Sequence, residues 1–253
     1  GKATATRLAE AGYKVFGTSR RGASASPSSL EMLPLDVTSD ASVKAAVAEV
    51  IRREGRIDLL VNSAGFNVAV GGAEESSIQQ AQDIFDTNFF GTVRMSLAVV
   101  PHMRQQGNGR IINIGSVLGF MAMPYMALYA ATKHAIEGYS KSLDHELRNM
   151  GIRVSVIEPA FMKTAIDANS READAKLDAY RDVRIAMDKR LKEMLDVAED
   201  PEVVADTVLK VARAASPKAR YTSGTAAARL RLMHTLLPAS LVDAGIRKQL
   251  RIA

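Results

Sequence analysis

The 253-residue chain predicts an α/β fold, a doubly wound parallel sheet with helices on both faces in one domain. Three observations predict it. Short apolar runs alternate with longer helical stretches along the chain. Apolar residues make up 47 % of the sequence, enough for one large core. Small and polar residues gather just after the apolar runs, at the strand ends where open α/β sheets meet ligands.

The elements follow in order. Lys2–Ala11 reads as a helix stopped by Gly12, and Tyr13–Thr18 as a strand. Arg20–Ser29, rich in Ser, Ala, Gly and Pro, is too small and polar for core and reads as a loop. Glu31–Leu35 is a short strand, and Ser39 or Asp40 caps a helix running to Glu54. Ile57–Val61 is a strand with Asn62–Gly65 as its terminal turn. Ile84–Gln106 reads as one long helix, followed by strand Arg110–Ile114, helix Ala127–Met150 and strand Ile152–Ile157. Asp167–Val197 is charged and reads as helical, and Pro201 sits in the first turn of a further helix. Arg220–Ser223 is the last strand. A dinucleotide fold also calls for a strand ahead of the first helix, which the sequence, opening on Gly1, does not contain; a preceding targeting segment stays open.

Composition excludes some chemistry. Without cysteine the chain has no disulfide, no thiolate-bound metal and no cysteine nucleophile. The spacing of His102, His134 and His145 matches no zinc motif, so no metal site is expected. No run of 18 apolar residues suggests a membrane span, and the expected location is cytoplasmic. The net charge of +5 is modest. A solvated surface accounts for it, with a polyanionic ligand as one alternative. Weak contact with an anionic lipid surface is another, since the segment from Arg229 to Arg251 is basic and leucine-rich.

Tyr129 and Lys133 stand four residues apart on a predicted helix and therefore share a face. A cation beside a phenol favours the phenolate, so this tyrosine is suited to exchange a proton with a carbonyl or alcohol. The alternative is a surface pair. Ser116 ends the apolar run from Arg110 and would sit at the sheet's ligand-binding edge, unless it only caps a turn. Asp36 and the turn Asn62-Ser63-Ala64-Gly65 end two other strands on the same edge. Small residues there let a planar nucleotide approach the backbone. Where a carboxylate would hold the ribose hydroxyls of NAD, the chain reads Thr18-Ser19-Arg20-Arg21. Two guanidiniums suit a 2′-phosphate, unless they are solvated loop charges.

In combination these residues resemble the short-chain dehydrogenase/reductases, single-domain Rossmann enzymes that use NAD(P). Gly1 looks like the last glycine of the family's glycine-rich loop, and Asn62–Gly65 like its Asn-Asn-Ala-Gly turn, with Ser63 in place of the second asparagine. Asn88 in Asn88-Phe-Phe-Gly91, Ser116, Tyr129 and Lys133 match the four catalytic positions. Pro159-Ala-Phe-Met-Lys-Thr164 looks like the segment that holds the nicotinamide amide, with Ala160 replacing a glycine. The resemblance implies a cofactor site of Gly1, Ser19, Arg20, Arg21, Asp36, Val37, Asn62, Ser63, Ala64, Gly65, Tyr129, Lys133, Pro159 and Thr164, with NADP(H) preferred over NAD(H). It also implies proton donation by Tyr129, with Ser116 positioning the carbonyl, Lys133 binding ribose and lowering the phenol pKa, and Asn88 holding a water. The branch it looks most like is that of the hydroxysteroid and retinol dehydrogenases.

The substrate expected is a hydrophobic ketone, aldehyde or alcohol in a pocket lined by Phe66, Val117, Leu118, Met123, Met126 and Met162. Residues 161–197 are expected to form a substrate lid and 224–253 a C-terminal extension. The long helices 84–106 and 127–150 suggest a homodimer or homotetramer, as in the family. The rival readings are a 3-oxoacyl thioester reductase and a non-catalytic NADP(H)-sensing protein. No nucleic-acid partner is expected.

Overall fold

The structure is a computed structural model and describes residues 1–20, 30–163 and 170–251. In chain order its strands are β1 (Val15–Ser19), β2 (Leu30–Pro34), β3 (Leu59–Asn62), β4 (Gly109–Ile114), β5 (Ile152–Pro159) and β6 (Arg220–Ser223). The longer helices are α1 (Lys2–Glu10), α2 (Asp40–Glu54), α3 (Ile78–Phe85), α4 (Gly91–Gln106), α5 (Ala127–Leu147), α6 (Arg181–Asp196), α7 (Glu202–Arg213), α8 (Thr225–Leu236) and α9 (Ala239–Leu250).

Every strand pair is parallel, as the strand–helix alternation predicts. The strands fall into two sheets, β1-β2 and β3-β4-β5-β6. A cavity of about 520 Å³ lies between β1 and β3, lined by Phe16 and Gly17 on one side and Leu60 and Val61 on the other. A parallel strand laid there would face an edge strand of each sheet.

Both faces of the larger sheet are buried, which is why its strands read as continuous apolar runs. Successive residues of a strand point to opposite faces. Ile111 accordingly joins Val47, Val99, Met103 and Leu147 under α2, α4 and α5. Ile112 joins Leu8, Val208 and Val211 under α1 and α7. Helix α2 starts as its sequence dictates: the Ser39 hydroxyl accepts the Ser42 N–H at 3.3 Å, and Gly55 closes the helix in the left-handed region at φ 70°.

Two expectations are corrected. The stretch 84–106 is not one helix. Ser77 caps α3 six residues earlier than expected, and a π-helical turn, Asp86–Phe90, separates α3 from α4. The stretch 167–197 is not helical throughout. Of its described residues only a 3-10 turn, Asp178–Tyr180, and α6 are helical, while 170–177 runs as an irregular strip. Backbone bonds stitch that strip to the loop after β3: Ala69 N donates to Arg171 O at 2.7 Å, and Arg171 N to Asn67 O at 2.9 Å. The leucine-rich C-terminal segment, on which no element was expected, forms two helices, α8 and α9, joined at Pro238.

Candidate active site

Helix α5 carries Tyr129 and Lys133 on one face, and β4 delivers Ser116 just past its C-terminal end. The two pieces are in backbone contact. A Cβ on Gly119, in the 3-10 turn after Ser116, would lie 3.0 Å from the Lys133 carbonyl oxygen, so a side chain there would force the turn off the helix. Ser116 caps that turn, its Oγ accepting the Leu118 N–H at 3.1 Å. Lys133 is buried, donates to the Ile114 carbonyl at 2.9 Å and lies 5.4 Å from the centroid of the Tyr129 ring. Burial pushes its ammonium down to about 8, against the opposing pull of Glu137 one turn further on.

Asn88 is buried inside the π-helical turn. Its Oδ1 accepts the Phe66 N–H at 3.0 Å, and its Nδ2 donates to the Phe66 carbonyl at 2.9 Å and to Thr132 Oγ1 at 3.3 Å. The residue therefore pins the loop after β3 to helix α5. A second polar line crosses the sheet below it. Asn62 Nδ2 donates to Asn113 Oδ1 at 2.9 Å, and Asn113 Nδ2 to Ser140 Oγ at 2.8 Å.

Behind Lys133 lies a charged cluster the sequence analysis missed. Glu137 and Glu158 are both buried. Arg231 of α8 pairs with Glu158, its Nε 3.2 Å from Oε2, and stacks over Phe120 at 3.6 Å from the ring centroid. Arg220 lies 3.4 Å from Glu137 Oε2. Glu137 Oε1 meets no donor among the described residues. Burial first, and then the neighbouring Glu158 carboxylate, raise the pKa of Glu137 well above the usual carboxylate range. A protonated Glu137 supplies the donor that two facing carboxylates lack. A polar residue breaking an apolar strand run was the available signal, both for Asn113 in Ile-Ile-Asn-Ile and for Glu158 before Pro159.

Of the expected cofactor residues, Gly1, Val37, Asn62, Ser63 and Ala64 line the cavity between β1 and β3. Gly1 precedes the first turn of α1, and a Cβ on it would stand 4.0 Å from Ser63 Oγ. Gly65 sits beside this wall against Asn88 Oδ1. Ser19 ends β1, and its carbonyl accepts the Leu35 N–H at 2.9 Å. Asp36 is turned inward on its own loop, accepting Thr38 N and Oγ1 at 3.0 and 2.7 Å. Those bonds, with a smaller contribution from nearby Arg20, lower its pKa. Arg20 itself is exposed, and Pro159 closes β5 opposite Ser223. Arg21 and Thr164 lie outside the described residues. A concave wall of small residues at a helix N-terminus fits a dinucleotide phosphate backbone.

Of the expected pocket residues, Val117, Leu118, Met123 and Met126 meet in one buried cluster with Met187 of α6, Ala227 of α8 and Leu250 of α9. Phe66 belongs to a second cluster with Val68, Ile84 and Ala173. Half-buried Tyr129 packs against both, at their boundary. Met162 is buried but apart from the first cluster, in a bridge to Glu199. Just before α5, Tyr125 holds a left-handed backbone, φ 63°, an unfavourable setting for an aromatic residue, and its carbonyl accepts the Gly71 N–H at 3.3 Å. Among the described residues no cluster of His, Asp or Glu could hold a metal, and no helix is long and apolar enough to cross a membrane.

The parallel sheet flanked by helices is a nucleotide-binding type of architecture, and comparison gives the family. The family model for short chain dehydrogenases matches residues 1–175, and the chain belongs to that family of oxidoreductases, whose members use NAD(P). It is 42 % identical over 170 residues to a 3-ketodihydrosphingosine reductase of Bacteroides thetaiotaomicron, covering 67 % of this chain and 62 % of that protein. It is 34 % identical over 230 residues to human 17-beta-hydroxysteroid dehydrogenase type 1, covering 83 % of this chain and 68 % of the relative. Among solved structures, a short-chain dehydrogenase from Streptomyces avermitilis superposes with a TM-score of 0.81 at 28 % identity, covering 98 % of this chain and 90 % of the other.

Proposed function

We propose that the protein interconverts a hydrophobic ketone or aldehyde and its alcohol, using NADP(H) in preference to NAD(H). The observation that carries this reading is the position of Tyr129, between two apolar clusters and beside the buried Lys133. Gly1, Val37, Asn62, Ser63 and Ala64 would hold the dinucleotide, which supplies the hydride when bound. The exposed Arg20, with Arg21, would take the 2′-phosphate. Tyr129 donates its phenolic proton to the carbonyl oxygen as hydride reaches the carbon, and takes a proton back from the alcohol in the oxidative direction. Ser116 hydrogen-bonds the same oxygen and fixes its place. Lys133 keeps positive charge beside the phenol and eases its ionisation. Both Asn88 amide hydrogens are taken, so a water held there binds to acceptor atoms only. The apolar cluster around Met123 and Met126 excludes water and sets the preference for a hydrophobic substrate.

Two measurements test this reading. Fluorescence titration should show NADPH binding tighter than NADH by at least about tenfold, the effect of one charge-assisted pair. Equal affinities would make Arg20 and Arg21 solvated loop charges. In a screen of apolar carbonyl compounds followed by consumption of reduced nicotinamide, Tyr129→Phe should abolish turnover while leaving NADPH binding within about twofold. A variant with the wild-type rate would remove Tyr129 as the acid.

A further inference from the structure

The helical hairpin of α8 and α9 has two unlike faces. Its inner face is packed: Ala227 and Leu250 are buried in the apolar cluster beside Tyr129, with Leu230 and Ile246 against it. Arg190 of α6 holds α9 through the Gln249 carbonyl at 2.9 Å. The outer face and tip are apolar and open. Leu232, Met233, Leu236, Leu237 and Leu241 are 59, 48, 69, 39 and 56 % exposed, all within ten residues around Pro238. These leucines and the methionine lie together on one projecting tip, whereas exposed apolar side chains on a soluble surface are ordinarily scattered.

The charge along this hairpin is one-sided. Arg229, Arg247, Lys248 and Arg251 are exposed on the same hairpin, and Asp243 is the only acidic residue between 225 and 251. Arg231 turns inward to Glu158 and Phe120, and Arg251 faces Glu193 of α6, which leaves Arg229, Arg247 and Lys248 as the outward charge. A second copy docking on this face would bring like charges together, at a cost that rises as water is excluded. An anionic surface with an apolar interior answers both features, the basic residues meeting headgroups and the leucines entering the acyl boundary.

We propose that the α8–α9 hairpin docks the protein on an anionic lipid bilayer, lying on the surface without spanning it. The inner face of the same hairpin walls the apolar cluster at Tyr129, so docking places that cluster next to the membrane. This last step, delivery of an apolar substrate from the bilayer, rests on the proposed reaction; the docking does not.

Vesicle co-sedimentation tests it, with phosphatidylcholine alone and with phosphatidylcholine containing phosphatidylserine. The wild-type chain should sediment with the anionic vesicles, less so as salt is raised, and poorly with phosphatidylcholine alone. The paired variants Leu236→Ser with Leu237→Ser, and Arg247→Glu with Lys248→Glu, should each weaken binding at least about tenfold. Their turnover of a small water-soluble carbonyl compound should stay at the wild-type level, showing that they fold. Sedimentation equally good in wild type and variants, or absent with both vesicle types, would overturn the proposal. So would a leucine variant that fails to sediment because it has dissociated from a dimer in vesicle-free solution. A wild-type chain that binds vesicles but reduces no carbonyl compound would refute the reaction and leave the docking intact.

Discussion

Glu137 makes the proton balance behind Lys133 testable residue by residue. Its ionisable neighbours are Lys133 on its own helix, Glu158 on β5, Arg220 on β6 and Arg231 on α8. Burial and Glu158 raise its pKa above the unfolded value of 4.5, so the folded state binds the extra proton. The stability this gives is fully present below 4.5 and is lost as pH rises through the folded value. Lys133 acts in a separate window. Its pKa falls from 10.5 to about 8, so its contribution grows with pH only above that. The unfolding free energy of the wild-type chain in urea should therefore decline from mildly acidic to neutral pH, by at most about 1.4 kcal/mol per pH unit for one proton. Glu137→Gln keeps the shape and the donor but not the titration, and its profile over that range should be flatter. Parallel profiles for the two proteins would mean that Glu137 is ionised in both states. The shift of Glu137 was not legible in the sequence, because the residue occupies an ordinary helical position and its character comes from burial and from Glu158, 21 residues on and in another element.

At the scale of elements, the π-helical turn Asp86–Phe90 matters most. It inserts one residue into an otherwise α-helical run and so turns Asn88 inward. A position in the sequence picked Asn88 out, but its periodicity did not reveal the turn, since α3, the turn and α4 together look like one continuous helix. The central strands β4 and β5 were easier to read because they are buried on both faces, which leaves largely apolar runs, and the strand ends shift by only a residue or two. The candidate catalytic residues Ser116, Tyr129 and Lys133 stood out by their places, at a strand end and one helical turn apart. Asn88→Ala should cost on the order of 2–4 kcal/mol of stability in denaturant unfolding, because it strands the buried N–H and C=O of Phe66 together. A loss below about 0.5 kcal/mol would show that water replaces the amide without penalty.

For the molecule as a whole, the segment expected to be a lid is tied at several points. Glu75, fully buried, accepts the Gly72 N–H at 2.7 Å and the Leu177 N–H at 2.8 Å, and pairs with Arg184 of α6. Ser77 donates to Asp174 through both its N–H and its hydroxyl, at 2.7 and 2.6 Å. The Tyr180 ring lies so close to Gly72 that a Cβ there would stand 2.6 Å from it. The expectation of a lid did not include these ties, because the sequence could not reveal that one of the segment's partners is a carboxylate more than a hundred residues earlier. Burial acts to raise the pKa of Glu75, but the Leu177 and Gly72 amides and Arg184 outweigh it and leave it lowered. Its contribution is therefore present above 4.5 and lost as pH falls through the lowered value. Glu75→Gln removes the charge that Arg184 faces while keeping the size of the side chain. In the variant, trypsin should cut after Lys176, Arg181 or Arg184 at least about tenfold faster than in the wild type, because a strip released from its anchor opens without global unfolding. The denaturant midpoint should move less than the cleavage rate does. Equal cleavage rates would place the anchor in the backbone bonds of Arg171 and the Ser77–Asp174 pair instead, and the same digestion of Asp174→Asn would then show the faster cut.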